Sequence, residues 1–304
     1  MLFGTIGFSY DNMGPSRQAF ARTGLHSANL GDNMQTLAVR HLYQRLGVAP
    51  DRVVRIDRDS LRSYAGPPVV LPMNAVFHRN CFPLAPGITP LWIGFHANDE
   101  TIAQHKDWLA RQGLIGCRDP ATAEALQSHG IAADVTGCLT FAFARRRAAP
   151  PPGRGRVMVI IGQGSGALPG AALSAMPEAL LASAEFICQR REMNVLPLGL
   201  PEMDSNDHIA ERILLRLRKR ASLVVTPLHH AAAPAIAMGI PTVVVRREAS
   251  TRFGFMQDLL AVHLGPDFTG VDWQPAPVDL AQVRAAQWDR FSALVRPWLS
   301  PPDA

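Results

Sequence analysis

Residues 145–166 read RRRAAPPPGRGRVMVIIGQGSG and predict a linker, a buried strand and a glycine turn in succession. The three prolines at 150–152 cannot continue a helix or a central strand, so residues 145–156 mark a domain boundary. Residues 157–161 form a continuous apolar run, which is typical of a parallel strand buried on both faces. Strand-like and helix-like patterns alternate on both sides of this boundary. The sequence therefore predicts an α/β fold of two Rossmann-like, doubly wound domains, at residues 1–148 and 149–304.

The predicted elements of each domain are short apolar runs separated by helical patterns. In the first domain we expect strands at residues 2–8, 53–56, 68–71, 91–95, 114–117 and 133–136, and helices at 32–46, 101–112 and 120–128. In the second we expect strands at residues 157–161, 194–198, 223–226 and 242–245, and helices at 171–189, 206–220, 229–238 and 279–299. Two such units facing each other place a ligand cleft between them, at the carboxyl ends of the strands.

The bulk composition narrows the class of protein. The chain has 304 residues, of which 47% are hydrophobic and 18% charged, as in globular proteins with a core. No apolar run reaches the ~20 residues of a membrane helix, and residues 1–8 lack the flanks of a signal peptide. The four cysteines, at 81, 117, 138 and 188, are far apart and suit a reducing compartment better than a zinc site. We expect a soluble, cytoplasmic protein without a metal or a resident cofactor.

The charge of the chain comes almost entirely from arginine. The net charge is +5, and the lysines are Lys106 and Lys219 alone. Arginine binds phosphate and carboxylate in a bidentate manner, which favours an anionic ligand. The basic runs at 145–147 and 216–220 have no accompanying nucleic-acid motif. We therefore expect no nucleic-acid partner, and favour weak attraction to an anionic membrane surface.

Two motifs of the first domain precede helices. In NLGDNMQ, residues 29–35, Gly31 permits a tight turn and Asp32 can cap the next helix; the segment is either a capped helix start or a substrate site. In IGCRD, residues 115–119, Arg118 follows a strand, where ligands of open α/β sheets bind. A surface pair of Arg118 with Asp119 is the structural alternative. We favour a binding role for Arg118.

Two further motifs lie on either side of the linker. In TGCLT, residues 136–140, Cys138 is either a nucleophile or, as we favour, a small buried side chain. In GQGSG, residues 162–166, the backbone amides can cradle a phosphate, or the segment is a plain loop. It matches neither a P-loop nor a dinucleotide fingerprint.

The last motif is VVTPLHH, residues 224–230. It places His229 and His230 at a helix N-terminus beside the predicted cleft, where two histidines favour function over structure. Arg246, Arg247 and Arg252 follow the next strand and can face the same cleft.

Taken in order, these segments resemble the polysaccharide pyruvyl transferase family from about residue 29 to residue 260. The family's N-x-G-D-x-x-Q is matched by Asn29, Gly31, Asp32 and Gln35, and its G-[VC]-R-D/E with a later threonine by residues 116–119 and Thr122. Its S/T-G-C-L-T is matched by residues 136–140, and its S-R-L-H followed by A-x-G-x-P by residues 227–230 and 237–241. The chain departs from the family at Leu228, where the family has an arginine that helps hold the donor, and at His229, where it has leucine.

The resemblance implies a GT-B-type arrangement and transfer of pyruvate from phosphoenolpyruvate to two hydroxyls of a sugar, forming a cyclic ketal without a metal. It implies a donor site in the second domain and an acceptor site in the first. We assign catalysis to His230 as general acid, and to Asp32 or Asp119 for the acceptor hydroxyl. Donor binding is assigned to Arg118, His229, Gly164, Ser165 and Arg252, and acceptor binding to Asn29, Gly31 and Gln35. Family context suggests a lipid-linked oligosaccharide acceptor at the inner face of the plasma membrane.

Two other functions fit the same residues. A glycosyltransferase of the same architecture would bind a nucleotide-sugar. A non-catalytic member of a polysaccharide-assembly system would explain the loss of the family arginine at Leu228.

Overall fold

The computed structural model describes residues 1–299 and contains an α/β fold built on two parallel sheets. The strands are β1 Leu2–Gly7, β2 His26–Asn29, β3 Val53–Asp57, β4 Val69–Pro72, β5 Val76–Phe77, β6 Ile88–Leu91, β7 His96–Ala97, β8 Ile115–Cys117, β9 Ala133–Val135, β10 Arg156–Ile161, β11 Ala184–Cys188, β12 Arg190–Met193, β13 Ala221–Thr226, β14 Thr242–Arg246 and β15 Val262–Leu264. The α-helices are α1 Gly14–Thr23, α2 Leu30–Arg45, α3 Asp99–Gln104, α4 Lys106–Leu109, α5 Pro120–Ser128, α6 Gly170–Ala175, α7 Glu178–Leu181, α8 Leu200–Arg220, α9 His229–Ala237, α10 Gly254–Gln257 and α11 Ala281–Val295.

Each half of the chain contributes one parallel sheet, as the alternating pattern predicts. The first has the order β3-β1-β4-β6, and the second the order β11-β10-β13-β14-β15. In the second sheet, β10 is the apolar run after the linker, and it pairs in parallel with β11 and β13. Its residues Val157, Met158, Val159 and Ile160 are all buried because helices and loops cover both faces of the sheet.

The two halves share an antiparallel ribbon and a continuous apolar core. Strand β2 of the first half pairs with β12 of the second, from Asn29 opposite Arg190 to His26 opposite Met193. Helix α2 packs on α8, where Asn33 Nδ2 donates to Asp207 Oδ1 at 2.7 Å. One cluster of buried apolar side chains contains both Met34 of α2 and Ile160 of β10. These contacts hold the carboxyl ends of the two sheets beside each other.

Local sequence signals explain where the helices next to the site begin. The side chain of Asn29 accepts a hydrogen bond from Gly31 N at the start of α2, which replaces the cap expected from Asp32. Helix α5 covers residues 120–128 as predicted. Asp119 caps it by accepting from Thr122 N at 3.0 Å, and Pro120 occupies its first turn.

Several predicted elements are wrong. The helix expected at residues 171–189 is two short helices, α6 and α7, followed by strand β11, because Pro177 interrupts the helical pattern. In place of the strand expected at residues 194–198, strand β12 begins four residues earlier, at Arg190, and ends at Met193. The strand expected at 91–95 is β6, which ends at Leu91, and the helix at 101–112 is divided at His105. Helix α1 and strands β2 and β15 were not predicted.

Within residues 1–299, no helix has both the length and the apolar character that crossing a membrane requires.

Candidate functional site

The largest concentration of the predicted site residues surrounds a cavity of about 380 Å³ between the two sheets, here called the donor cavity after the residues predicted to bind the donor that line it. Its walls come from the start of α2, the end of β8, the glycine turn after β10, the β11–β12 junction, the start of α9 and the segment after β14. The lining residues are Asn29, Arg118, Gln163, Ser165, Gly166, Gln189, Arg190, Pro227, Leu228, His229, His230, Arg246, Ser250, Arg252 and Phe253. Arg118 and His230, which the sequence places separately at the ligand cleft, therefore line the same cavity.

Four of the lining residues are arginines that form no salt bridge with any carboxylate of residues 1–299. Among residues 1–299, no carboxylate oxygen lies within 4.0 Å of a guanidinium nitrogen of these four residues, which are Arg118, Arg190, Arg246 and Arg252. Desolvation and then the neighbouring Arg118 guanidinium lower the pKa of Arg252, although part of its side chain is exposed. Because like charges this close raise the free energy of the empty cavity, the site favours a ligand with more than one negative charge.

Arg118 is held deep in the wall by the first half of the chain. Its side chain is 1% exposed, and Nη2 donates to Gln35 Oε1 of α2. Its Nε is buried and has no hydrogen-bond partner in the part of the chain that the structure describes. Gln35 in turn donates from Nε2 to Asp32 Oδ1 at 3.4 Å. Gln35, predicted to bind the acceptor, is thus a buried link between Arg118 and Asp32.

His229 and His230 open helix α9 at the cavity, as the motif predicts. His229 is 8% exposed, and its ring stands edge-on to Phe141 and Phe253, at centroid distances of 6.0 and 5.6 Å. Neither ring nitrogen of His229 has a hydrogen-bond partner among residues 1–299. Burial, reinforced by the Arg118 and Arg252 guanidiniums, lowers the pKa of His229 to about 3. Burial and then His229 also lower the pKa of His230 well below its usual value, so both rings are neutral in the free protein.

The buried, neutral ring of His229 leads to a prediction about acid stability. An unfolded histidine has a pKa near 6.5, so below that pH the unfolded chain binds a proton that folded His229 does not. The stabilisation by neutral His229 is therefore complete above about pH 6.5 and is lost as the pH falls toward 3. Between pH 7 and pH 5, the free energy of unfolding of the wild type should fall by about 2 kcal/mol more than that of His229→Leu.

Urea unfolding at the two pH values, followed by circular dichroism, measures this difference. His208→Leu, at an exposed position of α8, is the control and should keep the wild-type pH dependence. Equal pH dependence in wild type and His229→Leu would contradict the prediction.

Cys138 is a buried small side chain, as favoured, and it touches the site. It is 0% exposed, and its Sγ lies 3.8 Å from His230 Nε2. The hydroxyl of Thr140 donates to the same sulfur at 3.2 Å. The Cys138 sulfur therefore packs against the Nε2 edge of the His230 ring.

The glycine turn after β10 is packed against Leu228. A Cβ at Gly166 would lie 2.7 Å from Leu228 Cδ2, so glycine is needed for the close approach. Within the turn, Gly162 N donates to Gly166 O at 2.7 Å and Gly166 N to Gln163 O at 3.0 Å. Ser165 and Gly166 line the donor cavity, whereas Gly164, with a φ of +59°, supports the turn from outside the lining.

At residue 228, where the family has an arginine, the cavity wall carries the uncharged side chain of Leu228. Two other arginines lie near this position. Arg246 Nη1 donates to Pro227 O at 2.5 Å, and its guanidinium stacks 4.5 Å from the centroid of the Phe253 ring. Arg252 lines the same cavity, whereas Arg247 is exposed and does not.

Asn29 and Asp32 lie at the boundary between the donor cavity and a second, smaller one. The second cavity has a volume of about 220 Å³, and Asn29, Arg190 and Arg252 line both. Asp32 lines the second cavity and accepts hydrogen bonds from Tyr10 Oη and Asn29 Nδ2, each at 3.0 Å. Gly31 allows close packing here, because a Cβ would lie 2.9 Å from Gln189 Nε2 and 3.0 Å from His230 Cβ.

Asp119 is 0% exposed and forms neither a pair with Arg118 nor part of the cavity wall. Its Oδ2 lies 2.7 Å from His96 Nδ1, and Oδ1 accepts from Thr122 at the start of α5. Burial alone would raise the pKa of Asp119, but these hydrogen bonds outweigh it and lower the pKa. The geometry gives Asp119 a role in anchoring α5 and His96.

Several residues of the two cavities carry no recognisable signal in the sequence. Gln189 and Arg190 fall at the end of the wrongly predicted helix, and Tyr10 and Arg58 belong to segments without a motif. Gln189 and Arg190 reach the site beside the β2–β12 ribbon, Tyr10 through the loop after β1, and Arg58 directly after β3, so the site is assembled from distant parts of the chain.

The fold and the site together define a class: an α/β protein with an arginine-lined cavity between two parallel sheets, suited to a small, multiply charged anion. The family model described as polysaccharide pyruvyl transferase matches residues 29–248. The chain belongs to the polysaccharide pyruvyl transferase family and is a pyruvyl transferase.

Among solved structures, the chain is similar to an uncharacterized protein from Klebsiella pneumoniae subsp. pneumoniae NTUH-K2044. The TM-score is 0.42 at 11% sequence identity, over 76% of this chain and 84% of that one. No curated protein matches the chain significantly.

Proposed function

We propose that the protein transfers pyruvate from phosphoenolpyruvate onto two hydroxyls of a sugar in a surface or exopolysaccharide precursor. The observation that carries the proposal is the set of four arginines without carboxylate partners around His230. Phosphoenolpyruvate has a phosphate and a carboxylate on a three-carbon frame, and guanidinium groups bind both. The uncapped first turn of α9, which begins after Leu228, adds partial positive charge at the same wall. No metal or cofactor is part of the proposal.

The donor groups act as follows. Arg118 and Arg252 hold the two anionic groups, and Arg252 supplies the cation that the family has at the position of Leu228. Arg190 and Arg246 supply the other two positive charges of the wall. Ser165 lies at the glycine turn, and His229 lies behind the ring of His230. His230, protonated once the anion is bound, delivers a proton to the methylene carbon. A positive centre then develops at the neighbouring enol carbon, next to the carboxylate.

The ketal forms in two additions, and its atoms balance. The first sugar hydroxyl bonds to the enol carbon and gives its proton to Asp32. The second hydroxyl bonds to the same carbon as the carbon–oxygen bond to phosphate breaks. Of the two hydroxyl protons, one replaces the proton taken from His230, and the other leaves on hydrogen phosphate. Asp32 is preferred to Asp119 for this step because Asp32 lines a cavity and Asp119 is fully buried.

The proposed arrangement is of the GT-B type, with an acceptor domain at residues 1–148 and a donor domain at residues 149–304. The parallel sheet of each half and the cavity between them support it. We further propose a cytoplasmic protein that works at the inner face of the plasma membrane on a lipid-linked oligosaccharide. The linker arginines 145–147 support this location, because they line one cavity together with Arg218 and Lys219 and form a basic surface.

A thermal-shift comparison of ligands tests the donor. A ligand that binds only the folded state raises the melting temperature by mass action. Millimolar phosphoenolpyruvate should raise the Tm by several degrees, phosphate alone by less, and UDP-glucose or GDP-mannose by little. Stabilisation by the nucleotide-sugars without stabilisation by phosphoenolpyruvate would indicate a glycosyltransferase instead.

A further inference from the structure

The second cavity is built mainly from residues that no motif of the family includes. Among those that line its volume of about 220 Å³ are Tyr10, His26, Ser27, Arg58 and His78, together with Asp32. It opens beside the donor cavity, since Asn29, Arg190 and Arg252 line both. A ligand in the second cavity is therefore adjacent to whatever the four arginines hold.

Three polar atoms of this wall are buried and have no hydrogen-bond partner within the described residues 1–299. They are His26 Nε2, Ser27 Oγ and Arg58 Nη2. His26 and Arg58 are only 4% and 3% exposed. Buried polar atoms in proteins are nearly always paired, so these three atoms in the wall of one cavity are groups that the hydroxyls of a ligand can satisfy.

Tyr10 holds the carboxylate of this cavity through an unfavourable backbone conformation. Its φ of +59° lies in the left-handed region, and among residues 1–299 it is the one residue other than glycine with a positive φ. The phenol donates to Asp32 Oδ2 and accepts from Asn29 N, both at 3.0 Å. Burial, and then the charge of Asp32, raise the pKa of Tyr10 well above its usual value, which keeps the phenol a donor. Such strain persists where the surrounding structure enforces it, often at functional sites.

The charged groups that line the second cavity determine whether a neutral or a negatively charged sugar binds there. Arg58 Nε pairs with Asp59 Oδ1 at 2.9 Å, which cancels its charge. Burial lowers the pKa values of His26 and His78, so both rings are neutral near pH 7. Once Arg118 and Arg252 hold an anionic donor, the donor and Asp32 both present negative charge to this cavity. A negatively charged acceptor group would therefore be repelled.

We propose that the second cavity binds one neutral sugar ring of the acceptor, with Asp32 accepting a hydroxyl proton and Tyr10 as the positioning residue for that carboxylate. This inference rests on the proposed pyruvyl transfer. His26, Ser27 and Arg58 bind the remaining hydroxyls of the ring. The bond that forms joins a hydroxyl oxygen of this ring to the enol carbon of the donor, and the hydroxyl proton passes to Asp32.

Tyr10→Phe tests the positioning role. It keeps the aromatic ring and the backbone strain but removes the hydrogen bonds to Asp32 and Asn29. We expect kcat/KM for the acceptor to fall about 10-fold or more, while the KM for phosphoenolpyruvate stays within two-fold of wild type. Asp32→Asn should lower kcat about 100-fold or more at an unchanged donor-induced rise in Tm. Tyr64→Phe is the matched control, because among the described residues the Tyr64 hydroxyl bonds only Pro67 O, near the surface. If Tyr10→Phe changed the KM for the acceptor and the KM for phosphoenolpyruvate equally, Tyr10 would not be the positioning residue of the acceptor site.

Matched acceptors test the charge of the ring. Phosphate release is measured with p-nitrophenyl glucoside and galactoside, and with the corresponding glucuronide and galacturonide. At least one hexoside should be turned over, at ten times or more the rate of its uronide. Faster turnover of the uronides, or no turnover of either hexoside, would overturn the neutral one-ring site.

The two hypotheses fail in different ways. If phosphoenolpyruvate does not stabilise the wild type, the proposed donor is wrong. If it does, and Tyr10→Phe and Asp32→Asn react with sugars as the wild type does, only the acceptor site is wrong.

Discussion

Replacing Arg118 with methionine should strongly weaken binding of phosphoenolpyruvate and at the same time stabilise the empty protein. Arg118 is the most buried of the four cavity arginines and has no carboxylate partner to balance its charge. Loss of a buried contact between a guanidinium and an anion should lower kcat/KM for phosphoenolpyruvate by roughly 10²–10³-fold. The rise in Tm caused by the ligand should disappear.

The stability of the ligand-free Arg118→Met variant should move in the opposite direction. Burying an unpaired charge costs several kcal/mol, whereas leaving the Gln35 carbonyl without its donor costs about 1–3 kcal/mol. We therefore expect the free energy of unfolding to rise by about 1–2 kcal/mol, as measured by urea denaturation. Gln35→Leu in the same chain removes the unpaired carbonyl and should raise it further.

Arg247→Met is the control for both measurements. Arg247 follows the same strand as Arg246 but is exposed and does not line the cavity, so neither ligand binding nor stability should change. A ligand-induced Tm rise that survives in Arg118→Met would exclude Arg118 from the donor site.

Replacing His230 with glutamine should separate chemistry from binding. Loss of a general acid lowers kcat by about 10²–10⁴-fold, while the four arginines still hold the donor. The donor-induced rise in Tm should therefore stay close to that of the wild type. His208→Gln, on the exposed face of α8, should keep full activity. Turnover of His230→Gln at the wild-type rate would assign the proton to another group.

The pKa of His230 makes the affinity for phosphoenolpyruvate depend on pH. In the empty site its pKa is lowered by burial first, and then by His229, Arg118, Arg252 and His96. A bound anion adds negative charge beside these cations and raises the pKa, so donor binding takes up a proton. Affinity for phosphoenolpyruvate should then increase as the pH falls toward the pKa of the empty site, more in the wild type than in His230→Gln. Calorimetry in buffers of different ionisation enthalpy measures the proton uptake.

Much of the fold could be predicted from the sequence because its signals are local. The run at residues 157–161 is apolar throughout since β10 is buried on both faces, and Asp119 with Pro120 marks the first turn of α5 in the residues themselves. The prediction failed at residues 171–189, where a helical period continues across Pro177 but the chain forms β11 beside β10. Pairing with a neighbouring strand decided that segment, and the sequence of the segment does not contain its neighbour.

The site divides in the same way. The sequence alone determined the family, the positions of Arg118 and His230 after strands of the two halves, and the abundance of arginine for an anion. Only the tertiary structure decided that Arg190 and Arg252 join Arg118 without carboxylate partners, that Asp119 faces inward to His96, and that Tyr10 holds Asp32. Motifs record the residues that follow one another along the chain. Charge balance and hydrogen bonding in a cavity depend on residues that only folding brings within a few ångströms of each other.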